Sequence, residues 1–356
     1  MKRARKPEKL ACVMPWKAFF MDHFDRDLRV IPCVSDWMSG SFGKLTPEST
    51  VEQLWNSQQA QEIRQLLATG QQAQVCSPDC HWLNSGRYGE GNVHMVQGTT
   101  AFMENQRINN QEIRERKLVL ESRPTLLRLL PTLRCNNRCR MCYQDHNQHV
   151  QLPAAFERDV LHLFPYLYDY ELQGGEVLIA EDFPKWVNPD LFAVNPQLKF
   201  SLITNSTVIP DPAREVLEQI RIRHITISLN AATRSTYRRV SQNDFFDQVL
   251  ENTVYLRDLG LTHPVARFPI YLSFVIMRST YHEIPEFVGL ANRLQVPFYL
   301  VLVVGNRLNE SIHTDPETLC HVLEQVNEAE HLTREDSIYE IHRVQMAMKR
   351  SLAEWS

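Results

Sequence analysis

The run Leu133-Arg134-Cys135-Asn136-Asn137-Arg138-Cys139-Arg140-Met141-Cys142-Tyr143 places three cysteines at Cys-x3-Cys-x2-Cys spacing. Three thiolates on so short a loop can hold three corners of a four-iron cluster and leave the fourth iron open, whereas clusters are normally closed by four cysteines. By extension of the rule that separates closed structural metal sites from catalytic ones with a vacant position, the loop reads as catalytic. A zinc knuckle, or three unrelated buried cysteines, would share this spacing, and the residues downstream weigh against both.

The elements that must position these cysteines belong to an ordinary globular chain. It has 356 residues, 43% hydrophobic, with a formal charge of −4. That balance carries no electrostatic footprint for nucleic acid, although Lys2, Arg3, Arg5 and Lys6 form a basic start, expected to be a solvated tail. No apolar run approaches the roughly 18 to 20 residues that cross a bilayer, and no apolar signal core follows the basic start. The expectation is a cytoplasmic protein with no membrane or nucleic-acid partner. The eight cysteines then point to metal binding or catalysis in a reducing compartment rather than to disulfide bridges.

From Leu126 onward, β-rich apolar runs alternate with helical periods, the pattern of βα units and a parallel sheet. Six strands are predicted, at 126–130, 168–172, 198–204, 224–229, 270–277 and 298–303. Helices are predicted at 153–164, 212–222, 245–259 and 281–294. Six such units curl into an α/β fold of partial (β/α)6 TIM-barrel type, whose active site belongs at the C-terminal ends of the strands. The polar motifs fall there. Gly174-Gly175-Glu176 follows the second strand, Thr204-Asn205-Ser206 ends the third, and Ser228 and Asn230 end the fourth. Glycines let a backbone approach a ligand, and a carboxylate or carbonyl beside them can accept hydrogen bonds from an ammonium group.

The cysteine spacing, the Gly-Gly-Glu motif and the order of strand-end residues resemble the radical S-adenosylmethionine (radical SAM) enzymes. The resemblance implies a [4Fe-4S] cluster on Cys135, Cys139 and Cys142, with S-adenosylmethionine chelated at the open iron and cleaved to a 5'-deoxyadenosyl radical that abstracts hydrogen from a substrate. It also implies cofactor contacts from Gly174, Gly175, Glu176, Asn205, Ser228, Asn230 and Arg239. Two positions depart from the family pattern. Met141 stands where an aromatic residue often approaches adenine, and Ser241 occupies the usual slot of an arginine for which the adjacent Arg238 and Arg239 are the substitutes.

A second cysteine set precedes the barrel: Cys12 in Cys-Val-Met-Pro-Trp, Cys33 after Ile-Pro, and Cys76 and Cys80 in Cys-Ser-Pro-Asp-Cys. Between them, residues 51–67 read as one helix that starts at Ser49 or Thr50 and stops at Gly70. Trp16, Trp37, Trp55 and Trp82 read as the core of this small segment. The order resembles the SPASM and twitch modules, which implies an auxiliary iron-sulfur cluster on Cys12, Cys33, Cys76 and Cys80, although four thiolates also suit tetrahedral zinc. The expected division is an auxiliary-cluster module with its linker at 1–115, a radical SAM barrel at 116–306 and a helical extension at 307–356. The polar stretch 84–116 is expected to be linker with a short helix near 110–117. In the extension, helices are predicted at 316–328 and 333–353, with Cys320 a buried small hydrophobe.

Fold alone does not name a substrate. The resemblance implies a ribosomally made peptide as the leading substrate, with a separate peptide-recognition protein as a further partner and flavodoxin or ferredoxin as electron donor. The alternative within the same chemistry is a dehydrogenase or mutase acting on a sugar or other small metabolite. Outside it stands a non-catalytic interaction protein in which zinc holds both cysteine groups.

Overall fold

The computed structural model describes residues 9–24, 27–33, 38–77, 80–144, 152–303 and 307–355. The basic start at Lys2, Arg3, Arg5 and Lys6, and Trp37, lie outside the described residues. The chain divides into two compact units, one of residues 1–131, 150–172 and 188–200, the other of residues 132–149, 173–187 and 201–356.

The first unit is built on an open mixed sheet of β1 (Ala18–Phe24), β2 (Asp27–Ile31), β3 (Gly43–Lys44), β4 (Leu126–Leu129) and β5 (Asp169–Leu172), in the order β3-β2-β1-β4-β5. β1 is antiparallel to β2 and parallel to β4, with Ala18 opposite Leu126, and β4 is parallel to β5, with Leu129 opposite Leu172. This corrects the expectation of a separate small cysteine module. The apolar run Ala18-Phe19-Phe20-Met21 has buried side chains throughout, and a strand so apolar is stable only inside a sheet.

The expected single helix at 51–67 is two, Val51–Trp55 and Gln58–Ala68, because Ser57 accepts the Ala60 N–H and caps the second. Thr50 and Gln53 form a capping box on the first, and Gly70 follows the second at φ 75°. Trp16 and Trp55 are buried, their indole N–H groups donating to the carbonyls of Lys117 and Ser122 at 2.8 Å, while Trp82 is half-buried and lies edge-on to Tyr88. The stretch expected as linker carries a long helix, Thr100–Glu115, with Asn105, Gln106, Asn109, Asn110 and Glu112 buried. These polar groups serve as partners for backbone without regular pairing: Asn105 exchanges two hydrogen bonds with Arg123, Gln106 two with Val96, and Asn109 donates to Trp16 O.

Arg64 is fully buried in this unit and donates to the carbonyls of Pro15, Leu118 and Trp55 at 2.7–2.9 Å, with its guanidinium over the Trp55 ring at 4.7 Å. Burial pulls the guanidinium down to about 9, with Glu112 acting in the other direction. Arg64→Met strips three buried acceptors of their donors and is expected to destabilise the chain by about 3–5 kcal/mol. The check is urea unfolding, in which the midpoint should fall with an unchanged m value.

The second unit orders its strands β6-β7-β8-β9, from β6 (Lys199–Thr204), whose last four residues belong to this unit, through β7 (Ile222–Ser228) and β8 (Ile270–Ile276) to β9 (Phe298–Leu302). β7, β8 and β9 are parallel, with Thr226 opposite Tyr271 and Ser273 opposite Tyr299. Alternation sends Ile225, Ile227, Leu272, Phe274 and Leu300 to one face, where the helix Ile284–Leu294 packs Phe287 against the Phe274 and Phe298 rings. The unit also contains the helices Phe183–Trp186, Asp211–Leu217, Arg234–Ser241, Phe246–Thr262, Pro316–Glu330 and Ile338–Ala353. The sheet does not close into a barrel. The last helix lies along the β9 edge, where the Glu340 carboxylate accepts from Leu300 N at 3.3 Å and Arg343 donates to Leu300 O. Cys320, expected to be buried, is exposed on the helix Pro316–Glu330.

Candidate functional site

All of the residues expected at the radical site fall in the second unit. The cysteine loop leaves β4 in chain order and is fixed by its backbone rather than by regular structure. Arg138 N donates to Ser241 O and Arg140 N to Val240 O, both at 2.9 Å, so two rungs tie it to the end of the helix Arg234–Ser241. Met141, at the aromatic position of the family pattern, packs against Val240, Met277 and Val303 instead.

The three thiols are desolvated together on one short loop. Burial pushes the Cys139 thiol up to about 12, with Cys142 and then Cys135 adding to it, and pushes Cys135 up to about 11, with Glu176 and Cys142 adding. Burial raises Cys142 as well. A set of thiols so desolvated resists ionisation unless a cation joins them, which is the chemistry of a metal or cluster site. Cys135 Sγ accepts from Asn137 N at 3.4 Å and from Asn205 Nδ2 at 3.6 Å, contacts of the kind that tune iron-sulfur clusters.

The Gly-Gly-Glu motif braces this loop. Gly175 N donates to Thr132 O and Glu176 N to Arg134 O at 2.8–2.9 Å, so the strand of the loop that leads to Cys135 runs against the motif's backbone. Glu176 is fully buried; burial pushes its carboxyl up to about 7, against the donors Asn205 N, Leu178 N and Thr204 Oγ1 at 2.6–3.0 Å. Its oxygens therefore hold the end of β6. Asn205 is held in turn, accepting from Thr207 N and Oγ1 and donating to Asn136 Oδ1 at 2.8 Å. Ser206, at φ 55°, buries a hydroxyl that no group among the described residues satisfies.

Ser228 is half-buried at the C-terminal end of β7, opposite Ser273 of β8. Asn230 sits at φ 58° and stitches β7 to β8, its Oδ1 accepting from Val275 N at 2.9 Å and its N donating to Ser273 O. Arg239 donates to Ser279 O at 2.8 Å and to Thr236 Oγ1 at 3.0 Å. Sequence reasoning missed Glu310. Its side chain is 2% exposed, and its carboxylate accepts from Arg140 Nε on the cysteine loop and from Ser279 N after β8. Burial raises this carboxyl, but the bonds from Arg140 and Ser279 outweigh it and hold it below the ordinary carboxylate value.

In the first unit, Cys12, Cys33 and Cys80 are buried and Cys76 is partly so. Burial pushes Cys12 up to about 12, with Cys76 and Cys80 adding, and Cys76 up to about 11, with Cys80 adding. Among the described residues no three His, Cys, Asp or Glu side chains are close enough to share one ion, in either cysteine set. A four-iron cluster gives each thiolate its own iron, so its ligands need not approach as closely as those of a single ion.

Residues 129–291 match the model of the radical SAM superfamily. A probable GTP 3',8-cyclase of Saccharolobus islandicus (strain Y.N.15.51 / Yellowstone #2) is 27% identical over 178 residues, 48% of this chain and 54% of that protein. A GTP 3',8-cyclase of Sulfurovum sp. (strain NBC37-1) is 25% identical over 151 residues, 40% of this chain and 46% of that protein. The chain thus spans about half the length of the curated relatives it matches. Among solved structures, Streptococcus suis SuiB bound to its precursor peptide SuiA is 14% identical, with a TM-score of 0.48 over 78% of this chain and 61% of that one. The superfamily match spans the Cys-x3-Cys-x2-Cys loop and the strand ends that brace it, so residues 129–291 of this chain are similar to the radical SAM enzymes.

Proposed function

We propose that Cys135, Cys139 and Cys142 hold a [4Fe-4S] cluster whose open iron takes S-adenosylmethionine, and that the chain uses it to modify a peptide. The placing of those three cysteines on one short loop, braced by Gly175 N to Thr132 O and Glu176 N to Arg134 O, carries the reading. When bound, the pair supplies a 5'-deoxyadenosyl radical for hydrogen abstraction, with one electron from an external donor such as flavodoxin or ferredoxin. The backbone of Gly174 and Gly175 lies against the loop, Glu176 holds the end of β6, and Asn205 donates toward Cys135. Ser228, Asn230 and Arg239 stand at or beyond the end of β7, facing the cofactor's polar groups in this reading.

The chemistry of the sheet bears on the substrate. Opposite the helix-covered face, the strands of the second unit present, toward their C-terminal ends, His224, Thr226 and Ser228, then Tyr271, Ser273 and Val275, then Tyr299 and Val301. Tyr271 and Tyr299 stack with centroids 4.5 Å apart, and His224 meets Tyr271 edge-on. Parallel strands normally carry apolar residues on both faces, so a hydroxyl-rich and aromatic face is available for a ligand. Among these residues none carries a fixed positive charge. That suits the amides and side chains of a peptide better than a triphosphate, which calls for arginine and lysine.

Residues 1–115 add, in this reading, an auxiliary iron-sulfur cluster on Cys12, Cys33, Cys76 and Cys80, with zinc as the competing metal; the burial of Cys12, Cys33 and Cys80 supports it. A small metabolite is the second reading, favoured by the GTP 3',8-cyclases among the relatives. Hydrogen transfer separates the two. With anaerobically reconstituted protein, deuterium is expected to move from a labelled candidate precursor peptide into 5'-deoxyadenosine, and not from labelled GTP. Transfer from GTP alone would reverse the order of the readings.

A further inference from the structure

The cysteine loop has one tether that lies far away in sequence. Arg140, between Cys139 and Met141, donates through Nε to Glu310 Oε1, and the partners are 170 positions apart. Glu310 is itself held on two further sides, its Oε2 accepting from Ser279 N at 3.0 Å and its backbone carbonyl from Arg278 N at 3.1 Å. Its carboxylate is therefore fixed to the turn that leaves β8 before it meets Arg140. A charge pair buried on the carboxylate side and anchored by backbone holds direction better than an exposed pair, which contributes little.

We propose that Glu310 is a positioning residue for the cluster loop, acting through Arg140 to fix the segment between Cys139 and Cys142 and to offset the arginine's charge beside the cluster. This rests on the reading that Cys135, Cys139 and Cys142 are cluster ligands. The consequence is electrical as well as mechanical. Cluster potentials respond to nearby charge, and a positive neighbour favours the reduced, more negative form. Reductive chemistry at this site depends on a low potential, so Glu310 keeps the cluster a strong reductant despite the adjacent arginine.

The test compares the parent chain with Glu310→Gln, Arg140→Gln and the double variant after anaerobic reconstitution. Iron and sulfide analysis of the parent decides the underlying reading separately. Electrochemical titration follows the cluster signal that responds to S-adenosylmethionine. Glu310→Gln is expected to raise the midpoint potential, Arg140→Gln to lower it, and the double variant to return near the parent. Shifts of one sign, or none, overturn the proposal. Hydrogen exchange of the metal-free chain provides a readout that needs no cluster: residues 134–142 should exchange about tenfold faster in Glu310→Gln, with Glu310→Asp restoring part of the protection. Unchanged exchange in that segment overturns the proposal as well.

Discussion

Alanine at any one of Cys135, Cys139 or Cys142 is expected to lower 5'-deoxyadenosine formation by more than about a hundredfold. Groups that merely orient a metal ligand typically cost about 10–100-fold when removed, and these three are the ligands themselves in the proposed site. The fold should survive the change. Apart from the contact of Asn205 Nδ2 with Cys135 Sγ, the loop's ties to the rest of the unit, among them Arg138 N to Ser241 O, Arg140 N to Val240 O, Arg140 Nε to Glu310 Oε1 and the packing of Met141, do not pass through sulfur. Far-ultraviolet circular dichroism of each metal-free variant should therefore match the parent while iron content and product both fall. Cys320→Ala is the matched control, since that thiol is exposed on the helix Pro316–Glu330. A variant that kept the parent rate would remove its cysteine from the site, and parent rates in all three would remove the site from the loop.

The contrast between what the sequence announced and what it concealed is physical. Strand β8, expected at 270–277, lies at Ile270–Ile276, because a largely apolar run interrupted only by Ser273 leaves a local signature in a parallel sheet. The helix Thr100–Glu115 showed only its end, as the short helix expected near 110–117, since besides Phe102 and Ile113 its buried face is asparagine, glutamine and glutamate, and such a face reads as solvated linker. β1 was hidden differently: its apolar run was plain, but the cysteines around it drew the segment into a module of its own. At the site, cysteine spacing and glycine pairs are local and therefore legible. The bond from Arg140 to Glu310 is not, for an ion pair across 170 positions has no period, spacing or composition to betray it. Glu176 lies between these cases. Its place after β5 could be read, but its commitment to Thr204 and Asn205 follows only from where β6 ends.

The same bracing makes Gly175 the position least able to accept a side chain, and Gly175→Ala is expected to destabilise the second unit by about 3 kcal/mol while emptying the cluster site. A Cβ there would lie 2.1 Å from Arg134 O and 2.5 Å from Arg134 C, so the obstacle is backbone and no rotamer can yield. Relief requires the loop segment Leu133-Arg134 to move away from the motif. Such a movement breaks the bonds from Gly175 N to Thr132 O and from Glu176 N to Arg134 O, and it carries Cys135 away from the other two sulfurs. Gly174→Ala is expected to do similar damage for two reasons at once, since its φ of 147° is disfavoured for any side chain and its Cβ would meet Thr132 O at 2.3 Å. Gly289 supplies the comparison, because a Cβ there would meet only the end of the Arg293 side chain at 3.6 Å and the residue sits within the helix Ile284–Leu294, so Gly289→Ala should be neutral or stabilising. Thermal unfolding of the three metal-free variants, followed by iron uptake, separates the effects. If Gly175→Ala unfolds like the parent and loads iron normally, the motif's backbone does not hold the loop, and the role assigned here to the glycine pair is lost.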